Sequence, residues 1–291
     1  MIRHLRFLLI LIGKLPLPLL HALSALPALL LWLLPNKLRR MTLLHLQLCL
    51  PELTPAQRRR IARRSLAHSM KLGFESPAIW FGSERRLRRW LDDRAAREQL
   101  QALIAGGKGV ILLCPHLGAW ELAGLFCASA GPMTTLYKPQ KGALDALIKE
   151  GRERLGANLV PTAGSGVKQL LQALKSGAMI GILPDHDPPD GSGVFAPLFG
   201  ISAHTTPLVG KLAARTGAPV WFCIAERLDF GRGYRIHLRP APAEVSDADT
   251  GVAALNRTIE QLIREWPEQY WWSYRRYRRL PPGTPNPYQG L

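Results

Sequence analysis

Val110-Ile-Leu-Leu-Cys-Pro-His-Leu-Gly-Ala-Trp-Glu121 is the stretch on which the fold turns. Val110 to Cys114 is a short unbroken apolar run, as expected of a strand buried on both faces. Pro115 ends it, and Gly118 allows an irregular entry into a following helix. Strand, loop and helix then recur downstream. Thr134–Tyr137, Ala178–Leu183 and Pro219–Ala225 read as strands, and Tyr234–Leu238 as a strand exposed on one face. Helices are expected at about Ala143–Leu155, Gly166–Lys175, Thr205–Thr216 and Gly251–Trp266. This alternation predicts an α/β fold: a mostly parallel central sheet flanked by helices. The Pro-rich end, Leu280–Leu291, is expected to be loosely ordered.

Upstream the chain changes character. Leu15–Leu34 carries no formal charge and is about as long as a helical membrane crossing requires. Pro16, Pro18 and Pro27 disfavour one continuous helix, so a segment lying in the membrane interface competes with a spanning one. Thr54 and Pro55 mark a helix start, with Thr54 as N-cap, running to about Phe74. A second basic helix is expected around Arg85–Arg97. The division expected is therefore a membrane anchor at 1–40 and a catalytic domain at 41–291, with basic membrane-facing helices at 54–97. The heavier positive charge after the anchor puts the main domain on the cytoplasmic side.

Lys and Arg number 38 against 21 Asp and Glu, a net charge of +17 in 291 residues, which calls for an anionic partner. Membrane lipid, nucleic acid and a phosphorylated substrate all qualify. The aromatic and basic residues near Trp271 and Arg276 sit on no nucleic-acid-binding motif, which favours lipid. Cys49, Cys114, Cys127 and Cys223 lack the C-x-x-C spacing of zinc sites. They read as buried small apolar residues in a reducing compartment, with no metal and no disulfide framework.

Chemistry is expected where the first core strand ends, because open α/β sheets bind ligands at the carboxyl ends of their strands. On one helix His116 and Glu121 would point about 140° apart. They meet if His116 lies in the loop and Glu121 in the first turns of the helix. Glu121 would then accept the Nδ1 proton and leave Nε2 as a base, the orienting half of a hydrolase triad. No G-x-S-x-G elbow supplies a nucleophile, so the hydroxyl activated would be the substrate's, as in an acyltransferase.

The H-x4-E element resembles the H-x4-D/E signature of glycerolipid acyltransferases. Further segments resemble, more narrowly, the late lauroyl/myristoyl acyltransferases of lipid A biosynthesis: Tyr137-Lys-Pro139, Gly151-Arg-Glu-Arg154, Leu183-Pro-Asp-His-Asp-Pro188, Ser192–Gly200, Thr205-Thr206 and Pro267-Glu-Gln-Tyr-Trp-Trp-Ser-Tyr-Arg-Arg276. His186 stands where that group leads one to expect Gln. The resemblance implies transfer of an acyl chain from acyl carrier protein to a hydroxyl of an acylated, phosphorylated lipid A precursor at the inner membrane, in lipopolysaccharide biosynthesis. It implies no metal or resident cofactor, and no nucleic-acid partner. His116 and Glu121 become the catalytic pair. Gly118, Lys138, Arg152, Arg154 and Asp185 become candidates for substrate or oxyanion contacts, with an arginine tether as the plainer role for Asp185 and for Asp187. A lysophospholipid or mannolipid acyltransferase with the same dyad, and a non-enzymatic basic membrane or nucleic-acid-binding protein, remain as alternatives.

Overall fold

The computed structural model describes residues 2–140, 142, 144–162 and 164–291. The chain begins with α1 (Ile2–Lys14) and α2 (Leu17–Leu33), which meet at an angle of 115°. Pro16 makes that break, whereas Pro27 is carried inside α2 without ending it. No single helix among the described residues is long and apolar enough to cross a membrane; the bent pair is so only together.

Next come α3 (Lys37–Cys49), capped by the Asn36 side chain, and α4 (Pro55–Phe81). Thr54 and Gln57 cap α4 reciprocally, satisfying two otherwise orphaned amides. The helix runs past the expected Phe74, through Pro77. The basic stretch after it is two helices, α5 (Glu84–Trp90) and α6 (Arg94–Ala105), broken before the Asp93 cap.

The α/β unit follows: β1 (Val110–Leu113), α7 (Trp120–Ala128), β2 (Met133–Tyr137), α8 (Leu144–Glu153), β3 (Ala157–Pro161), α9 (Gly164–Lys175) and β4 (Met179–Ile182). Ala143, the expected start of α8, lies outside the described residues. Then come β5 (Val194–Leu198), β6 (Ile201–Thr205), α10 (Leu208–Thr216), β7 (Val220–Arg227), β8 (Tyr234–Pro240) and α11 (Gly251–Glu265). Thr205, expected to open a helix, closes β6 instead.

The main sheet has the order β3-β2-β4-β1-β7-β8 and is parallel except for β8 against β7. The strands β5 and β6 form a separate antiparallel hairpin. All four residues of β1 are fully buried, as the unbroken apolar run requires. Alternate residues feed two cores. Ile111, Leu113, Ile180 and Phe222 face one packed by α9, α10 and α11, while Val110, Leu112, Cys114 and Cys223 face one packed by α6 and α7.

A buried carboxylate joins α2 to the sheet. Glu75 of α4 accepts from Arg227 Nε at 2.8 Å and Tyr234 OH at 3.0 Å, and its other link is to His21 Nε2 at 3.0 Å. The far face of α2 stays uncovered. Leu19, Leu23, Leu26, Leu30 and Leu33 are exposed along it, with Phe7 and Leu11 beside them on α1. At the other end, the Pro-rich tail is packed rather than loose. Tyr288 OH holds His45 Nε2 at 2.7 Å and accepts from the Tyr277 amide at 2.9 Å.

Candidate functional site

Sheet register builds the site. β1 pairs with β4 so that Leu113 lies opposite Ile182. His116 and Asp185 each follow that pair by three residues, so two neighbouring strands deliver an imidazole and a carboxylate to the same spot. His116 Nδ1 lies 2.9 Å from Asp185 Oδ1, and the His116 amide donates to Oδ2 at 2.9 Å. Both side chains are buried. Burial alone would raise the Asp185 carboxyl, but the charge and hydrogen bonds of His116 hold it well below the usual carboxylate range. An ionised carboxylate only accepts, so Nδ1 carries a proton, and in the neutral imidazole the lone pair is on Nε2.

This corrects the expected His116–Glu121 hydrogen bond. Glu121 sits in the first turn of α7, as anticipated, but its oxygens are taken by other donors. Arg152 of α8 donates to it from Nε at 2.9 Å and from Nη2 at 2.5 Å, and Trp80 Nε1 of α4 donates at 3.1 Å. Burial pushes the Glu121 carboxyl up, and the Arg152 guanidinium more than offsets it, so the group stays ionised. The charge of His116 acts on it in the same direction through space.

The other expected site residues divide. Arg152 faces a pocket lined also by Cys114, Glu121, Gly124, Met133 and Leu159. Arg154 is not free for a substrate: its guanidinium donates to the carbonyls of Ile79 and Gly82 at 2.8 and 2.9 Å, closing the end of α4. The Gly118 amide is not an open oxyanion donor either, since it donates to the Gln269 carbonyl at 3.1 Å. Gly118 is instead needed for shape. Its φ is +66°, and a Cβ there would meet the Ala225 carbonyl oxygen at 2.3 Å. Lys138 lies exposed just past β2.

An aromatic stack holds the His116 ring. The His186 ring lies on His116 with centroids 3.7 Å apart and 11° between planes, and Tyr274 covers its other face at 4.1 Å. Burial, with help from the nearby His116 charge, pushes His186 down to about 3, so it stays neutral. Trp271 stacks on Trp120 at 5.6 Å, and its amide donates to the His116 carbonyl at 3.1 Å. The arginine tether expected of both aspartates falls to Asp187 alone: it holds His204 Nδ1 at 2.7 Å and pairs with Arg278 and Arg279. His186, Trp271 and Tyr274 are contributors that spacing missed, and Asp185, expected to contact substrate or oxyanion, hydrogen-bonds His116 instead. Their signal was present in the two most distinctive segments, Leu183–Pro188 and Pro267–Arg276.

Among the described residues, no serine, threonine or cysteine side chain hydrogen-bonds the His116 ring. A mostly parallel α/β sheet that presents a carboxylate-bonded imidazole in this way has the chemistry to take a proton from a hydroxyl brought by a substrate. Over residues 5–279 the chain matches the family described as bacterial lipid A biosynthesis acyltransferase, and it belongs to that family. It is 31% identical over 257 residues to the lipid A biosynthesis lauroyltransferase of Escherichia coli (strain K12), covering 86% of this chain and 83% of that one. It is 27% identical over 250 residues to the palmitoleoyltransferase of the same strain (84% and 80% covered) and 26% over 259 to its myristoyltransferase (86% and 78%). Three relatives named for three acyl chains stand within a few per cent of one another, so identity does not select a chain length. The protein is an acyltransferase of lipid A biosynthesis acting on a lipid A precursor.

Proposed function

We propose that the chain moves a fatty acyl group from an acyl carrier protein thioester to a hydroxyl on an already acylated lipid A precursor. The observation that carries this is the His116–Asp185 pair at the end of β1, near a largely apolar pocket bordered by Cys114, Trp120 and Glu121. His116 Nε2 takes the proton of the acceptor hydroxyl, and the Asp185 carboxylate balances the imidazolium that forms. The oxygen attacks the thioester carbon. Amides in the first turn of α7, which a helix leaves without internal partners, support the oxyanion. Collapse expels the carrier's thiolate, and His116 returns the proton to it. Glu121 supports the imidazolium through space and holds Arg152 over the cavity. No step draws on a resident cofactor.

The acceptor is reached from the inner membrane, with the catalytic domain on its cytoplasmic side. The exposed leucine stripe of α2 and the apolar face of α1 support an anchor that lies in one leaflet. The His21–Glu75 contact, which joins α2 to α4, supports an anchor at 1–40 that is held against the catalytic domain at 41–291. Exposed Arg59, Arg60, Arg63 and Arg88 suit anionic lipid headgroups or the acidic carrier protein.

The test is a detergent-solubilised assay with a tetra-acylated lipid A precursor and a panel of acyl carrier protein thioesters, read by mass spectrometry. A mass gain of one acyl group, abolished in His116→Ala, is expected. Acylation of lysophosphatidic acid and not of the lipid A precursor overturns the acceptor assignment.

A further inference from the structure

The register that joins His116 to Asp185 also brings three thiols together. Leu113 of β1 pairs with Phe222 of β7, and the next residue on each strand is a cysteine, Cys114 and Cys223. Helix α7 packs on that face and adds Cys127. The three sulfur atoms all lie within 4.8 Å of one another, and all three residues are buried. Metal–sulfur bonds of about 2.3 Å in a three-sulfur site put the sulfurs about 4 Å apart. The cluster is therefore near ligating geometry without rearrangement of the backbone.

We propose that Cys114, Cys127 and Cys223 form a binding site for a single soft monovalent cation, copper(I) being the natural occupant. The donor set selects it. Among the described residues no imidazole or carboxylate joins the three sulfurs, so the fourth ligand that structural zinc requires is missing. Soft thiolates favour copper(I), which accepts low coordination numbers. Copper(I) displacing the protons of two thiols leaves one net negative charge, with the third sulfur as a neutral donor, and two protons go to solvent.

Cys114 borders the cavity that Arg152 also lines, which gives the ion a way in. Bound there, it would fasten β1, β7 and α7 together directly beneath His116 and Glu121. Cys49 provides an internal control: it is buried elsewhere, 3.2 Å from the Tyr277 hydroxyl.

The test is anaerobic titration of the detergent-solubilised full chain with copper(I), in competition with a chromogenic cuprous chelator. One ion per chain is expected, retained in Cys49→Ala and lost in Cys114→Ser, Cys127→Ala and Cys223→Ala, each checked for folding by circular dichroism. X-ray absorption on the loaded wild type and on Cys49→Ala decides the matter even if the cluster variants misfold. Two or three sulfur neighbours at about 2.2–2.3 Å support the site. Copper left entirely with the chelator, binding lost in Cys49→Ala, or a shell of nitrogen and oxygen only overturns it and returns the three cysteines to plain packing residues.

Discussion

Asp185→Asn tests the orienting role most directly, because the carboxylate accepts two hydrogen bonds, from the His116 amide and from Nδ1. Asparagine has nearly the same shape but only one accepting atom. If its oxygen keeps the backbone amide, its NH2 group faces Nδ1 and forces the ring proton onto Nε2, where the base lone pair should be. If its oxygen instead keeps Nδ1–H, the loop amide loses its partner in a buried site. Either outcome removes the base or its position, and general-base catalysis is worth about 10²–10⁴ in rate. That corresponds to about 2.7–5.4 kcal/mol of transition-state stabilisation. The loss should fall on kcat, with KM for the acyl donor little changed, since Asp185 is 1% exposed and acts through His116. The assay is the initial rate of acyl gain by mass spectrometry for wild type, Asp185→Asn, His116→Ala and the double variant. Because the two residues act as a unit, the second substitution should cost almost nothing once His116 is gone. A single variant within about threefold of wild type, or a full additional loss in the His116→Ala background, would refute the His116–Asp185 assignment.

Four other outcomes follow from the geometry. Arg152→Met leaves the buried Glu121 carboxylate without its cation and should lower stability by about 3–5 kcal/mol, with Glu121→Gln recovering part of it in the double variant; unchanged urea midpoints would contradict the pairing. His186 and His45, pushed by burial to about 3 and about 4, stay neutral in the fold and bind protons near 6.5 when unfolded. The unfolded chain thus carries more protons, so stability is full above pH 6.5 and falls as pH drops toward 4, by about 1.4 kcal/mol per unit for each histidine; flat denaturation midpoints from pH 7 to 5 would exclude this. Leu23→Glu with Leu30→Glu, 47% and 46% exposed on α2, should release the protein from membranes in a salt wash that leaves wild type bound, each leucine being worth about 1.5–3 kcal/mol when buried. Gly118→Ala must displace the loop from the Ala225 carbonyl and should lower both kcat and melting temperature, which activity and thermal scans on one preparation will show.

What was legible in the chain was local. The strands β1, β4 and β7 are short apolar runs, and each falls close to where those runs predicted it. The edge strand β3 escaped because Asn158 and a terminal Pro161 dilute its apolar signal. The β5–β6 hairpin escaped because its turn places Phe199 and Gly200 at positive φ, where Asn-Gly is the usual mark, and because Pro197 lies within β5. Partners are a different matter from elements. Spacing offered His116 only the carboxylate five residues away, and offered the cysteines no chelate at all. The partners come instead from the order β4-β1-β7, in which neighbours in space are separated by many residues of chain. With that order in hand, Leu113↔Ile182 yields Asp185 and Leu113↔Phe222 yields Cys223, each by counting the same number of residues along two strands. The choice between Glu121 and Asp185 as the orienting carboxylate is therefore a statement about which strand lies beside β1, and a rate measurement on Asp185→Asn tests the sheet order as directly as it tests the mechanism.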